Sequence, residues 1–574
     1  MIYDLRTFGA PQVFEADVCI VGAGAAGIAM ARDFIGTPWR VLLLESGGLQ
    51  REARVQKLYS ATSIGEHYYQ SLDSCRSRYF GGSTNCWGGI CTPLDEIDFE
   101  ERPWIPWSGW PTTFDEIEPC LRRAHRLCGT GPYLYDSGAW DQIGLPHRSF
   151  DPTLFRAFVW HFNSRAALDL SFGKRFRAEL RGAPNIDVLL HASVTELLTN
   201  ESGNAIDGAR VQTLDGGIHN VRARKLVLAC GGIENARILL ASTRSNPAGV
   251  GNAHGNVGRF FHEHLQLPCG MLVAPEHGGE AFGYSRLYPL GGTACLPGLQ
   301  LAPEAQVLHH TPNVSISIDP LYDRESALIA LQKLRSDFKT RRISFETLKR
   351  LGRAAAECHH WAPEAWRRFV EGDRPRGDPR RFLVFARSEQ TPNPNSRVTL
   401  SREADELGMP RAVLDWHTTP FDRTGIRLAA SYAVREFRRL GIGEIIEADW
   451  LAGSDWPEDL AGGPHHMGTT RMSEDVRFGV VDRNCRVHGV NGLYVAGSSV
   501  FPTGGHANPT LSILALALRL ADHVRASLSD MTMAATSATA AARLPVAREM
   551  AAAPLEHAPD LSVVNRQSAG GNAL

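Results

Sequence analysis

The sequence predicts an α/β protein of more than one domain, whose parallel sheet begins near the N-terminus and is completed much later in the chain. A β-branched run, a glycine turn and a helical stretch follow one another in "ADVCIVGAGAAGIAMARDF", and a second buried strand lies in "WRVLLLESGG". Residues 224–242 and 491–524 each add a further strand, turn and helix. At 574 residues the chain exceeds one core of ordinary size, so the intervening blocks predict a second domain inserted in pieces.

The first glycine turn carries a dinucleotide-binding pattern. Gly22, Gly24 and Gly27 form G-x-G-x-x-G between a strand and a helix, and Glu45 ends the next strand. The first glycine makes a tight turn, the second lets backbone approach a pyrophosphate, and the third allows close helix packing. An acid at the end of the second strand accepts hydrogen bonds from ribose hydroxyls. Both NAD and FAD use this pattern, so the choice between them depends on the rest of the chain.

Composition and charge exclude several classes of partner. The net charge of −2 gives no electrostatic reason to expect nucleic acid, and no apolar run reaches the length of a membrane span. The eleven cysteines lack a CxxC pair and read as reduced thiols. The N-terminus has no basic region followed by a cleavage site, which predicts a cytoplasmic protein. The adjacent histidine pairs lack a third ligand, so we predict no metal site.

Two C-terminal segments point to redox chemistry. "GGPHHMGTTRM" spans residues 462–472, and "FPTGGHANPTLSILALAL" spans residues 501–518. The second places polar residues and a proline immediately before an apolar helix, a composition typical of a helix start. The positive end of that helix suits a flavin pyrimidine ring, which gains negative charge on reduction.

With these motifs the sequence resembles the glucose–methanol–choline (GMC) oxidoreductases over residues 15–525. The resemblance rests on "VGAGAAG…LLLESGG", "GGSTNCWGG" at 81–89, "VGRFFHEHL" at 257–265, "PNPNSRVTLS" at 392–401 and the two C-terminal segments. It implies an α/β fold: a Rossmann-like FAD-binding domain of the GMC and p-hydroxybenzoate hydroxylase type, plus an α+β substrate domain with an antiparallel sheet. The pattern is most similar to the branch of pyranose oxidases and bacterial glycoside oxidases.

The resemblance implies a division of the chain into interleaved blocks. The FAD-binding domain is expected at 1–50, 76–100, 191–270 and 461–528, and the substrate domain at 51–75, 101–190 and 271–460. Residues 529–574, rich in Ala, Ser and Pro, are expected to form a poorly ordered tail.

The resemblance also implies the catalytic residues. His465 matches the family's catalytic histidine, and Asn508 matches the partner that is His or Asn. Removing a hydride from carbon is easier once the hydroxyl proton is leaving, and histidine is a suitable base near neutral pH. The Asn508 amide does not titrate, but it can hydrogen-bond a developing alkoxide.

The remaining site residues are expected from the same motifs. The substrate is expected to meet Glu389 and Gln390, in the segment that precedes "TPNPNSR", and His466, which we interpret as structural or supporting. The cofactor is expected to meet Gly22, Gly24, Ala25, Gly27, Glu45, Ser46, Gly81, Gly82, Ser83, Asn85, Cys86, Trp87, Gly88, Gly89, Val194, Ala229, Gly497, Ser498, Asn508, Pro509 and Thr510.

Cys86 stands where the pyranose oxidases carry a histidine that links FAD covalently through its 8α-methyl. A thiolate is also a competent nucleophile, so a bond at Cys86 is chemically open. The alternative, which we favour, is non-covalent FAD beside an ordinary small residue.

The predicted function is FAD-dependent oxidation of an alcohol, in particular a secondary ring hydroxyl of a sugar or glycoside, to a ketone. The alternatives are a lyase of the same fold, which carries FAD without net redox chemistry, and oxidation of a non-sugar alcohol. The expected partners are a small alcohol or sugar and an electron acceptor, which is O2 or a quinone or cytochrome. The motifs indicate no oligomeric state.

Overall fold

A computed structural model describes residues 1–65, 71–145, 150–163, 170–275, 279–321, 380–458 and 460–536. Twenty strands lie within these residues: β1 Ile2–Asp4, β2 Val13–Val21, β3 Val41–Leu44, β4 Thr62–Gly65, β5 Ile90–Cys91, β6 Phe155–Phe162, β7 Ile186–Leu190, β8 Ser193–Thr199, β9 Ile206–Gln212, β10 Ile218–Leu228, β11 His264–Val273, β12 Tyr288–Leu290, β13 Thr293–Leu301, β14 Val314–Leu321, β15 Arg381–Glu389, β16 Arg397–Ala404, β17 Pro410–Trp416, β18 Glu444–Glu447, β19 Ala461–Gly462 and β20 Leu493–Val495.

The α-helices among the described residues are α1 Ala25–Asp33, α2 Ala53–Gln56, α3 Glu96–Phe99, α4 Phe114–Cys128, α5 Ser137–Gln142, α6 Phe172–Gly182, α7 Gly231–Ala241, α8 Gly279–Gly283, α9 Pro303–His309, α10 Asp422–Arg439 and α11 Thr510–Thr536. None of these helices combines the length and the apolar character that crossing a membrane requires.

The first sheet is the predicted nucleotide-type sheet. Its order is β1-β7-β3-β2-β10-β9-β8, with β20 also paired to β10, and the pairs from β1 through β10 to β20 are parallel. Val18–Val21 and Val41–Leu44 are buried in it, as expected for strands covered on both faces. Helix α11 packs against α1 and α4.

The second sheet is antiparallel, in the order β18-β11-β15-β14-β13-β6-β5, with β12 on β13 and β19 on β11. Helix α10 packs on β14, β15 and β18. A third, three-stranded sheet joins β16, β17 and β4. The predicted α/β fold with an additional antiparallel sheet is therefore confirmed.

The sheets divide the chain differently from the expected blocks at several places. Strand β7 lies in the first sheet although 101–190 was expected in the substrate domain. Its five residues carry no glycine turn and helix after them, which is the signal that marked the other strands. Strand β11, from His264, and the short strands β5 and β19 lie in the second sheet. Helix α11 continues to Thr536, into the expected tail, and residues 537–574 lie outside the described residues.

Candidate active site

A cavity of about 500 Å³ opens at the carboxyl ends of the parallel strands β2, β3 and β10. Val21, Leu44 and Ala229, at or just after those strand ends, line it. Parallel sheets bind ligands at this edge, where the loops after adjacent strands meet. The cavity also reaches the loop at 81–90 and the segments at 463–466 and 508–513.

The glycine turn is built for a close approach of backbone. A Cβ at Gly27 would lie 1.9 Å from the carbonyl oxygen of Gly22, and a Cβ at Gly22 would lie 2.7 Å from that of Ala229. Gly22 also has a φ of +104°. Only glycine lets α1 begin this close to the strands, so the helix N-terminus and its free N–H groups face the cavity.

Two arginines that the sequence analysis missed form one wall of the cavity. Arg76 and Arg78 both bind the buried carboxylate of Glu234, at 3.1 and 3.2 Å, and Arg78 Nε donates to Ser46 Oγ at 2.8 Å. Glu45 accepts hydrogen bonds from the N–H groups of Ala23 and Gly47, and burial raises the pKa of its carboxyl. Positive charge beside a helix N-terminus, with an acid across the cavity, fits an adenine dinucleotide. The signal in the sequence was the "RSR" run directly before the glycine loop.

The loop at 81–90 contacts the cavity through part of its length. Gly82, Ser83, Cys86, Trp87 and Gly88 line it. Trp87 Nε1 donates to the carbonyl of Leu170 at 2.9 Å, which fixes the indole ring. Cys86 Sγ accepts from Ser77 Oγ and donates to the carbonyl of Ser83, each at 3.4 Å.

The start of α11 also lines the cavity. Asn508, Pro509 and Thr510 line it, together with Ile513 in the first turn of the helix. Asn508 Oδ1 accepts a hydrogen bond from Arg387 Nη1 at 3.0 Å. Since an arginine only donates, the amide oxygen must face it, and the Asn508 NH₂ group remains a donor for another partner.

His465 lines the cavity and pairs with a second imidazole. His465 Nδ1 and His264 Nδ1 are 2.7 Å apart, and His264 Nε2 donates to the carbonyl of Gly504 at 3.1 Å. A carbonyl only accepts, so neutral His264 carries its hydrogen on Nε2, and its Nδ1 accepts from His465 Nδ1–H. Nε2 is then the ring nitrogen of His465 that holds a lone pair.

Both imidazoles are held neutral. Burial, followed by electrostatic repulsion from His264 and Arg387, lowers the pKa of His465 well below its usual 6.5. Burial, followed by the charge of Arg387, lowers the pKa of His264 to about 3. His264 lies in the motif "VGRFFHEHL", but the pairing of β11 with β19 that brings it to His465 is not readable from that motif.

The structure brings most of the expected residues to one cavity. The expected residues that line it are Gly22, Gly24, Ala25, Glu45, Ser46, Gly82, Ser83, Cys86, Trp87, Gly88, Val194, Ala229, His465, His466, Gly497, Ser498, Asn508, Pro509 and Thr510. Four others support the lining: Gly27 packs on Gly22, Gly81 N donates to Ala23, Asn85 bonds Phe80 and Ser171, and Gly89 accepts from Asn163.

Glu389 and Gln390 do not line this cavity. Glu389 is fully buried and bound through both oxygens to Arg102, at 2.7 and 2.8 Å. Gln390 Oε1 accepts from Glu263 N and Trp416 Nε1, and its amide nitrogen donates to His417. Arg102 enters from a distant part of the sequence and satisfies the carboxylate, so Glu389 has a structural role here, and its contact with substrate stays a prediction.

His466 faces the cavity from a buried position. Its ring packs against Phe261, with ring centroids 5.9 Å apart, and its carbonyl accepts from Ser498 Oγ at 2.7 Å. Burial, with a contribution from Arg76, lowers the pKa of His466 to about 3. In the part of the chain that the structure describes, no three His, Cys, Asp or Glu side chains come together as a metal site would require.

The chain is similar in sequence to a known protein family and to individual enzymes, and similar in fold to solved structures. Residues 392–517 match the C-terminal domain described as GMC oxidoreductase. The 6'''-hydroxyparomomycin C oxidase of Streptomyces lividus is 26% identical, over 89% of this chain and 92% of its own. The 2-methyl-1,2-propanediol dehydrogenase of Mycolicibacterium austroafricanum is 23% identical, over 90% and 96%. A crystal structure of formate oxidase has the same fold, with a TM-score of 0.53 and 17% identity, over 91% of this chain and 100% of its own.

Proposed function

We propose that this chain, whose residues 392–517 match the GMC oxidoreductase family, oxidises a secondary ring hydroxyl of a sugar or glycoside to a ketone, with FAD as the hydride acceptor. The observation that supports this most strongly is that His465 and Asn508 line the same cavity as the glycine turn and the arginines that suit a dinucleotide. A base and an amide donor, placed together, are what removal of a hydride from an alcohol requires.

The residues that would hold FAD are identified from those that line the cavity. The turn at Gly22–Gly24 and the N-terminus of α1 would meet the pyrophosphate, with Arg76 and Arg78 adding positive charge. The N-terminus of α11 would lie against the flavin ring. When bound, FAD supplies an acceptor for the hydride that leaves the carbon bearing the hydroxyl.

The proton of the hydroxyl would pass to Nε2 of His465. His264 keeps the hydrogen of His465 on Nδ1, so the lone pair stays on Nε2. The low pKa of His465 keeps the ring neutral at physiological pH, so the base is ready before substrate binds.

Asn508 would hold the substrate oxygen. Its Oδ1 is committed to Arg387, so its NH₂ group is free to donate to the hydroxyl oxygen and to stabilise the charge that develops there. Two fixed contacts on one hydroxyl, from His465 and Asn508, would orient the carbon for transfer.

A non-sugar alcohol is the second candidate substrate. The similarity to a 2-methyl-1,2-propanediol dehydrogenase favours it, since that relative matches as much of the chain as the paromomycin-type oxidase does. Both candidates use the same two residues and the same proton transfer.

Anaerobic mixing tests the proposal. The purified protein, loaded with FAD, is mixed without oxygen with monosaccharides, methyl glycosides and aliphatic diols, and the flavin absorbance is followed. The proposal predicts bleaching by a sugar or glycoside, and ketone in the product. Bleaching by diols alone would favour the second candidate, and a flavin that stays yellow while substrate is cleaved would show a lyase. Readmission of air then separates an oxidase, which recolours rapidly, from a dehydrogenase.

A further inference from the structure

Arg387 lies beside the catalytic pair without an acidic partner. It stands on β15, between β11 and β14, and its side chain reaches across to Asn508. Its guanidinium carbon is 5.5 Å from the centre of the Trp160 ring. Its charge acts on both His264 and His465, so it is close to the atoms that would bind substrate.

Some buried arginines of this chain are neutralised by carboxylates, although Arg423 and Arg471 are buried without an ion pair among the described residues. Arg102 binds Glu389 and Arg237 binds Asp405, each at 2.7 Å. Among the described residues no carboxylate oxygen lies within ion-pair distance of Arg387, and its buried Nε has no hydrogen-bond partner. Burial lowers the pKa of Arg387 to about 10, which leaves it charged at neutral pH. A cation held this way is costly until a counter-charge arrives.

The groups nearest to Arg387 add neutral donors, and the one carboxylate that acts on it, Asp319, is too far away for an ion pair. Ser315, its partner across the strands β14 and β15, is buried, and its Oγ has no hydrogen-bond partner. Trp160 is also buried, and its Nε1 lacks an acceptor. Asp319, further along β14, acts on Arg387 only through space. One cation with two unsatisfied neutral groups matches a singly charged carboxylate, whereas a doubly charged phosphate calls for more than one cation.

We infer that Arg387, with Ser315 and Trp160, forms a subsite for a carboxylate of the substrate, so that the preferred substrate is a sugar acid or carboxylated glycoside. This inference rests on the proposed function and narrows its substrate class. The substrate's hydroxyl meets His465 and Asn508, and its carboxylate meets the guanidinium on the other side of Asn508.

Matched substrate pairs test the subsite. Anaerobic flavin reduction is measured for a methyl glucopyranoside and its glucopyranosiduronate, which differ only in a carboxylate. The uronate is expected to give the higher kcat/KM. In Arg387→Gln, loss of the charge-assisted bond should lower kcat/KM for the uronate at least about 10-fold more than for the neutral glycoside, whose own loss reports the bond from Arg387 that orients Asn508. Arg387→Lys keeps the charge and should keep the preference for the uronate.

A control and a binding measurement separate this inference from the proposed function. Arg381→Gln, at the exposed end of the same strand, removes one positive charge and should leave the preference unchanged. Cyclohexanecarboxylate has no hydroxyl to oxidise, so its binding, followed by flavin absorbance, tests the subsite even if no alcohol is oxidised. Its Kd should rise at least about 10-fold in Arg387→Gln.

Three results would overturn the subsite. They are equal kcat/KM for both members of the pair, equal losses for both in Arg387→Gln, and a faster reaction with glucose 6-phosphate than with glucuronate. Equal losses would show that Arg387 only positions Asn508. Failure of every alcohol, with cyclohexanecarboxylate still bound through Arg387, would instead refute the proposed function.

Discussion

Two imidazoles that meet at 2.7 Å decide which nitrogen of this site can take a proton. His264 is fixed by the carbonyl of Gly504 and in turn fixes His465, so the hydrogen of His465 stays on Nδ1 and its Nε2 keeps a lone pair. Burial and the charge of Arg387 then keep both rings neutral.

The low pKa of the single residue His465 predicts an unusual dependence of kcat/KM on pH. Only the neutral ring accepts a proton, and its pKa lies well below 6.5, so lowering the pH should protonate it late. We expect kcat/KM for anaerobic flavin reduction to stay flat from neutral pH to below pH 6.5 and to fall only under more acidic conditions. An acid limb centred at or above pH 6.5 would show that the base is not buried as described.

Replacement of His264 tests how the base is positioned. His264→Phe removes the acceptor for His465 Nδ1–H. A fraction of the molecules would then carry the hydrogen of His465 on Nε2, and in those molecules Nε2 could not accept the hydroxyl proton. We expect kcat/KM to fall by about 100-fold, with FAD content unchanged. His488→Gln serves as control, because His488 bonds the carbonyl of Ser473 and does not line the cavity. Equal activity in His264→Phe and wild type would refute the assigned tautomer.

At the scale of elements, the first turn of α1 sets the shape of the dinucleotide end. A methyl group at Gly27 would clash with the backbone carbonyl of Gly22, and backbone cannot rotate away as a side chain can. Gly27→Ala is therefore expected to push α1 away from β2 and to yield protein with little bound FAD. The ratio of flavin absorbance to protein absorbance measures this.

A matched glycine provides the control for that change. Gly182 ends α6, and a Cβ there has nothing within 4 Å, so Gly182→Ala should keep wild-type FAD content. Normal flavin content in Gly27→Ala would show that the turn tolerates a side chain, and it would weaken the assignment of this turn to the pyrophosphate.

The loop at 81–90 allows a separate prediction about how FAD is held. Cys86 Sγ is engaged with the hydroxyl of Ser77, just before its loop, and with the carbonyl of Ser83 in the loop, as an ordinary thiol would be. We expect acid precipitation to release yellow flavin into the supernatant, from wild type and from Cys86→Ala alike. Colour that stays in the wild-type pellet and is lost from that of Cys86→Ala would instead demonstrate a cysteinyl flavin.

At the scale of the whole molecule, the sequence predicted the features that lie within one contiguous segment. It did not predict the contacts between residues that strand pairing brings together from distant segments. The α/β class and the turn at Gly22–Gly27 follow from one strand, one turn and one helix, which are contiguous in the chain. His465 and Asn508 were expected because each lies in a recognisable motif. The contact between His264 and His465 depends on the pairing of β11 with β19, and the position of Arg387 depends on the register of β15 with its neighbours, neither of which a single segment contains. Glu389 shows the same limit, since its partner Arg102 comes from another part of the chain.

We propose that a carbon–hydrogen bond of an alcohol breaks in this cavity while His465 takes the hydroxyl proton. The most direct measurement is anaerobic flavin reduction by the best alcohol of the panel, with hydrogen or deuterium on the carbon that is oxidised, in wild type and His465→Ala. We expect deuterium to slow reduction in wild type, and the variant to be slower by about 100-fold or more. Flavin reduction that is insensitive to deuterium and equally fast in His465→Ala would contradict the account.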